Sequence, residues 1–158
     1  MPLRVGSIAP EFELYDKDGL SYSLQKTKGR KLLVFYKTTC PTCQLTLPFI
    51  ERLYRLYGNS LSVWAIVQDP KHEVENFAKT YDITFPQLID YPEYRVSVNY
   101  EVEIVPTIYL IDHDKVEFVS HSFVKADLIE LNKRLAELSG VEPQDLFMGQ
   151  RVPELKPG

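Results

Sequence analysis

The sequence predicts an α/β three-layer sandwich, a mixed central sheet flanked by helices. Three observations predict it. The apolar run Leu32–Tyr36 is continuous rather than alternating, as a strand buried on both faces of a parallel sheet requires, and Leu61–Val67 reads as the next buried strand. Segments with helical apolar spacing follow those runs, which builds βαβ units. Thr107–Ile111 and Val116–Ser120 are joined only by the turn Asp112–Lys115, so an antiparallel pair closes the sheet.

The elements follow in order. Residues 8–24 read as an N-terminal β-hairpin, Phe12–Tyr15 then Leu20–Leu24, turning at Asp18-Gly19. After the loop Lys28–Arg30 and the strand Leu32–Tyr36, a helix is expected from Pro41, since proline suits the first helical position. Phe49, Ile50, Leu53, Leu56 and Tyr57 give that helix one apolar face, and Gly58-Asn59 stops it. Pro48 inside the pattern deletes a hydrogen bond and should kink the helix. After the strand Leu61–Val67, Asp69-Pro70 reads as an N-cap followed by proline at the first helical position. Val74, Phe77, Ala78 and Tyr81 continue that helix. Phe85–Ile89 is a short extended segment, and Pro92–Asn99 one or two helical turns. Leu128, Leu131, Leu135 and Leu138 form the face of a final helix ending at Gly140.

The 158 residues fit one domain, expected over 1–140, with 141–158 and their three prolines as an extended C-terminal tail. A net charge of −4 gives no reason to expect nucleic acid as a partner. No apolar stretch approaches the roughly 20 residues that span a bilayer, so no membrane segment is expected. The first ten residues lack the apolar core of a secretory leader. The expected location is therefore cytoplasmic as written, or extracytoplasmic (periplasmic) if a leader or anchor has been removed. A monomer is the default expectation.

The chemistry is signalled by the only two cysteines, at Cys40-Pro41-Thr42-Cys43, just after a buried strand. That spacing at a strand-to-helix junction is the usual layout of a reversible dithiol/disulfide centre, and with no second pair it excludes a zinc site built from paired arms. His72, His113 and His121 sit in charged turns with no metal-ligand spacing, so no metal and no cofactor beyond the Cys40–Cys43 disulfide is expected. Lys37 reads as a solvated surface lysine, Trp64 as core, and Tyr36 as packing beneath the site.

These residues resemble a family. Cys40-Pro41-Thr42-Cys43, a proline five residues further at Pro48, Val105-Pro106-Thr107 before a strand, and the opening Gly6–Leu14 with the pattern G-x-x-A-P-x-F-x-L are together similar to thioredoxin-fold thiol-disulfide oxidoreductases of the TlpA/ResA branch. The resemblance covers about residues 5–138. It implies a thioredoxin fold, a TlpA-like insertion of about 69–100, and a cis bond at Pro106. There is no tryptophan before Cys40, where Thr39 stands, and no buried acid six residues before it, where Val34 stands. The resemblance implies that Asp69, at the head of the insertion, takes the acid's place.

The mechanism expected is direct. A free thiol near pKa 8.5 is only about 3% thiolate at pH 7, and the thiolate is the nucleophile. Backbone N–H groups at the start of the Pro41 helix favour a negative Cys40 sulfur. Cys40 would attack a protein disulfide and Cys43 would resolve the mixed disulfide. Asp69 is either a helix cap or the base that deprotonates Cys43. Thr39, Pro41, Thr42, Val105 and Pro106 would contact the substrate chain, and Val105 points weakly toward a reductant. Protein thiols and disulfides are the expected partners. Two alternatives stand: a peroxiredoxin-like thiol peroxidase, and a non-catalytic redox sensor, partner-binding domain or copper ligand. The peroxidase is disfavoured because the resemblance would need proline and threonine where Leu33 and Lys37 stand.

Overall fold

The computed structural model describes all residues, 1–158. The element order is β1 (Glu13–Tyr15), β2 (Ser21–Ser23), β3 (Lys31–Tyr36), α1 (Pro41–Tyr57), β4 (Ser62–Val67), α2 (Lys71–Tyr81), β5 (Gln87–Ile89), α3 (Arg95–Asn99), β6 (Thr107–Asp112), β7 (Lys115–His121), β8 (Phe123–Val124), α4 (Lys125–Ser139) and β9 (Leu155–Lys156). The central sheet has the order β5-β4-β3-β6-β7. Strands β5, β4 and β3 are parallel, and β6 and β7 join antiparallel, so the sheet is mixed.

Side-chain alternation along each central strand divides the core into two layers. Leu32, Val34, Tyr36, Val63, Ala65, Val67, Ile108 and Leu110 pack under α1, α2 and α4. Leu33, Phe35, Trp64, Ile66, Tyr109 and Ile111 face the other way, against the N-terminal hairpin segment and α3. Trp64 sits edge-on to Phe12 and Tyr22. Both faces of β3 are therefore buried, and its C-terminal end delivers the chain to Cys40.

Three sequence expectations need correction. The cap of α2 is Pro70, one residue later than expected, and it has no side-chain bond; the Asp69 carboxylate instead accepts the Thr38 N–H from across the sheet. The segment expected as helix from Pro92 narrows to Arg95–Asn99 because Asp90 reaches forward to accept the Val96 and Ser97 N–H groups and sets the start there. Leu138 is not in the buried stripe of α4: at 100° per residue it lies about 80° off the Leu128 line, and it is 42% exposed. Leu128, Leu131, Asn132, Leu135 and Ala136 form the buried face, and each fully buried leucine contributes roughly 1.5–3 kcal/mol. Gly140 ends α4 at φ 69°, the left-handed conformation that favours glycine.

Residues 141–158 do more than trail along the surface. Leu146 and Phe147 are buried in the main core, with the Phe147 ring edge-on to Phe49 at 4.9 Å. Further on, β9 pairs antiparallel with β8, Phe123 opposite Lys156 and Val124 opposite Leu155. No helix is long and apolar enough to cross a membrane.

Candidate active site

The site is assembled where β3 ends and α1 begins. Cys40 is the N-cap of α1, in extended backbone at φ −84°, and its sulfur accepts the Cys43 N–H at 3.2 Å. Pro41 follows at the first helical position, where no N–H is needed. The helix then runs unbroken through Pro48 to Tyr57. This start turns the Cys40 sulfur outward, leaving it partly exposed, and puts Cys43 one turn further along, fully buried in the core. Both are free thiols.

Facing them is the loop before β6. The Val105–Pro106 bond is cis, as the resemblance implies. The Cys40 sulfur lies 3.7 Å from the Val105 carbonyl oxygen. Pro106 is buried and Val105 partly so. The loop is fixed from beneath by the Thr107 hydroxyl, which donates to the Ile104 carbonyl at 2.6 Å and lies 3.0 Å from His121 Nδ1.

The segment leading to Cys40 is held from two sides. Asp69 Oδ2 accepts the Thr38 N–H at 2.8 Å, and Gln44 Nε2 donates to the Thr38 carbonyl at 3.0 Å. Burial pushes the Cys43 thiol far above the ordinary thiol range; the nearby Cys40 sulfur and the Asp69 carboxylate push the same way, and the Lys37 backbone pulls against them. Beneath the pair, Tyr36 is fully buried against Phe77, and its hydroxyl donates to Gln87 Oε1.

Of the residues singled out from sequence, Cys40, Cys43, Thr42, Asp69, Val105 and Pro106 come together, while Thr39 and Pro41 lie exposed on the rim. Thr42 is buried, and its hydroxyl donates to the Pro157 carbonyl in the C-terminal segment. Gln44 and that C-terminal contact were not signalled by the sequence, and His121 and His72, expected in charged turns, lie instead at the end of β7 and in α2. The partners of Thr42 and Pro157 are 115 residues apart with no motif linking them. No cluster of His, Cys, Asp or Glu is arranged to hold a metal ion.

The chain is similar to several known proteins. The sequence profile of the AhpC/TSA family matches residues 5–119. The thioredoxin-like protein YneN of Bacillus subtilis is 36% identical over 115 residues, covering 70% of this chain and 66% of the relative. The thiol-disulfide oxidoreductase ResA of Geobacillus thermodenitrificans is 36% identical over 111 residues, covering 68% of this chain and 63% of the relative. The chain thus spans slightly less than two thirds of either relative's length. Among solved structures, a thiol:disulfide interchange protein DsbE from Chlorobium tepidum superposes with a TM-score of 0.77 at 27% identity, over 87% of this chain and 99% of that one. The thioredoxin fold expected from the sequence is the fold observed.

Proposed function

The chain belongs to the AhpC/TSA family, and from that premise we propose that it is a thiol-disulfide oxidoreductase that reduces disulfides in partner proteins. One observation carries this reading: the two sulfurs are unequal, Cys40 reachable at a helix start and Cys43 sealed behind it. The Cys40 thiolate attacks one sulfur of a partner disulfide, forming a mixed disulfide and releasing the other partner sulfur as thiolate. Cys43, once deprotonated, attacks the Cys40 sulfur. The partner leaves as a second thiolate and the chain is left with a Cys40–Cys43 disulfide. Two electrons have passed to the partner, and an external dithiol must return them.

Asp69 is the base in this scheme. Its carboxylate lies close enough for its charge to oppose ionisation of Cys43, so it has two effects of opposite sign. It disfavours a standing Cys43 thiolate, yet it can accept the proton at the moment of attack. Thr39, Pro41, Thr42, Val105 and Pro106 flank the path of the partner chain.

The test follows turnover of insulin disulfides across pH by the unmodified chain and by Asp69→Asn, with hydrogen peroxide as a parallel substrate. Asparagine keeps an oxygen for the Thr38 N–H, so the loop should hold. Insulin reduction is expected to fall about 10²-fold near pH 7 in the variant, with the deficit shrinking as pH rises. The Cys43 thiol should meanwhile titrate at lower pH, because a negative charge is gone. Unchanged turnover alongside that lowered titration would remove Asp69 from proton transfer. Peroxide consumed as readily as insulin would replace the oxidoreductase reading with the peroxidase one.

A further inference from the structure

The C-terminal segment lies against the residues around Cys40. Leu146 and Phe147 anchor it in the core, and Asp145 ties the following turn by accepting the Phe147 and Gly149 N–H groups. The chain then leaves the core through Met148, 60% exposed at φ 51°, and Gly149 at φ 76°. It returns at Glu154, whose carbonyl accepts the Lys125 N–H at 3.0 Å, and runs as β9 beside β8. At its end the Pro157 carbonyl receives the hydroxyl of Thr42, the residue between Pro41 and Cys43. The Gly158 N–H donates to Ser122 Oγ at 3.1 Å. A side chain at Gly158 would put its Cβ 2.1 Å from the Val105 carbonyl oxygen, the atom the Cys40 sulfur faces. This one segment thus touches both Thr42 on α1 and the Val105 backbone opposite Cys40.

The contacts of this strap resemble those of a bound extended peptide. They run through its backbone, pair with a short sheet edge and make few demands on side chains. Its side chains add little: Leu155 is 60% exposed, Lys156 is half-buried, and Glu154, paired with Lys125 Nζ at 3.6 Å, keeps its side chain 84% exposed, where an ion pair contributes little. Little apolar burial holds residues 154–158 down, whereas Leu146 and Phe147 are locked. Segments held by few buried contacts open at low free-energy cost.

We propose that residues 154–158 are an intramolecular competitor for the substrate strand, covering Thr42 and Val105 until a partner's extended chain displaces them and pairs with β8 in their place. This rests on the oxidoreductase reading above and adds to it a gate and a binding mode. When only a fraction of molecules has the strap open, apparent affinity for the partner falls by that fraction.

The test uses the full chain with Lys156→Pro. In an antiparallel pair, directly opposed residues alternate between bonded and unbonded sites. Since Lys125 bonds Glu154, Phe123 and Lys156 fall on a bonded site, and proline there removes the N–H. A second full-length variant, Leu155→Gly with Lys156→Gly, loosens the strap without proline. Cys40 alkylation is measured with iodoacetamide and with a polyethylene-glycol maleimide, beside reduction of a linear peptide disulfide. In both variants the bulky reagent and the peptide should react about tenfold faster, as for a strap closed about nine-tenths of the time, with iodoacetamide unchanged. If the unmodified chain reduces the peptide and neither variant is faster, or both are slower, the gate is overturned while the oxidoreductase reading stands. If the bulky reagent gains access but no form of the chain exchanges with the peptide, the cover is real and the oxidoreductase reading fails.

Discussion

Replacing Cys40 by serine is expected to lower disulfide reduction by at least about 10³-fold, because the only other thiol is the buried Cys43. Cys43 cannot substitute, being fully buried behind Thr42 and the helix start. The complementary change separates the two roles. Cys43→Ser keeps the sulfur proposed to attack, partly exposed at the head of α1, and removes the one proposed to resolve. The first step should proceed and the second should stall, so a covalent complex with the partner accumulates. Non-reducing electrophoresis and mass spectrometry would show the chain joined to its partner through Cys40. Accumulation in Cys40→Ser instead would reverse the assignment. Fold stability should change little in Cys40→Ser, since that sulfur is not part of the sealed core. In Cys43→Ser a hydroxyl replaces a buried sulfur, so a loss of about 1–3 kcal/mol is expected alongside the trap.

The second large effect concerns stability. Glu51, 4% exposed on α1, accepts the Thr84 N–H at 2.7 Å, the Thr84 hydroxyl at 2.6 Å and the Phe85 N–H at 3.3 Å. It also takes Arg55 Nε at 2.8 Å. A single carboxylate therefore pins the redox helix to the chain that leads into β5. Glu51→Ala leaves two backbone N–H groups without their acceptor and should cost about 2–4 kcal/mol. Glu51→Gln keeps one oxygen for those donors and should cost about half as much. Arg55 is 56% exposed, so its ion pair contributes little to either figure. The urea midpoint checks the magnitude. Hydrogen exchange checks the place, with protection lost first around Thr84, Phe85 and β5. A uniform loss across all strands would mean that Glu51 supports the whole core rather than this junction.

How much of this was legible in the chain depends on distance along it. The run Leu32–Tyr36 followed by Cys40-Pro41 is a local signal, in which a strand buried on both faces meets a helix start that needs no N–H, and β3 and α1 form there. Gly140 is equally local, since a left-handed stop follows from glycine itself. Asp69 reads locally as a cap, yet its carboxylate is claimed by Thr38, 31 residues earlier, because the parallel pairing of β3 and β4 brings those two strand ends together. Propensity had no access to that competitor. Leu138 misled because a leucine every third or fourth residue mimics a stripe whose true line turns toward Ala136. The strap was the least legible feature. Prolines at 153 and 157 argue only against helix, and the edge of β8 and the hydroxyl of Thr42 are tertiary facts.

Titration of the Cys40–Cys43 pair in glutathione buffers of graded potential tests the central claim most directly. One two-electron transition between the dithiol and an intramolecular disulfide is expected, with a midpoint below about −250 mV. A midpoint above about −150 mV would contradict the direction of electron flow. Glutathione adducts forming on Cys40 with no ring closure to Cys43 would contradict the mechanism itself.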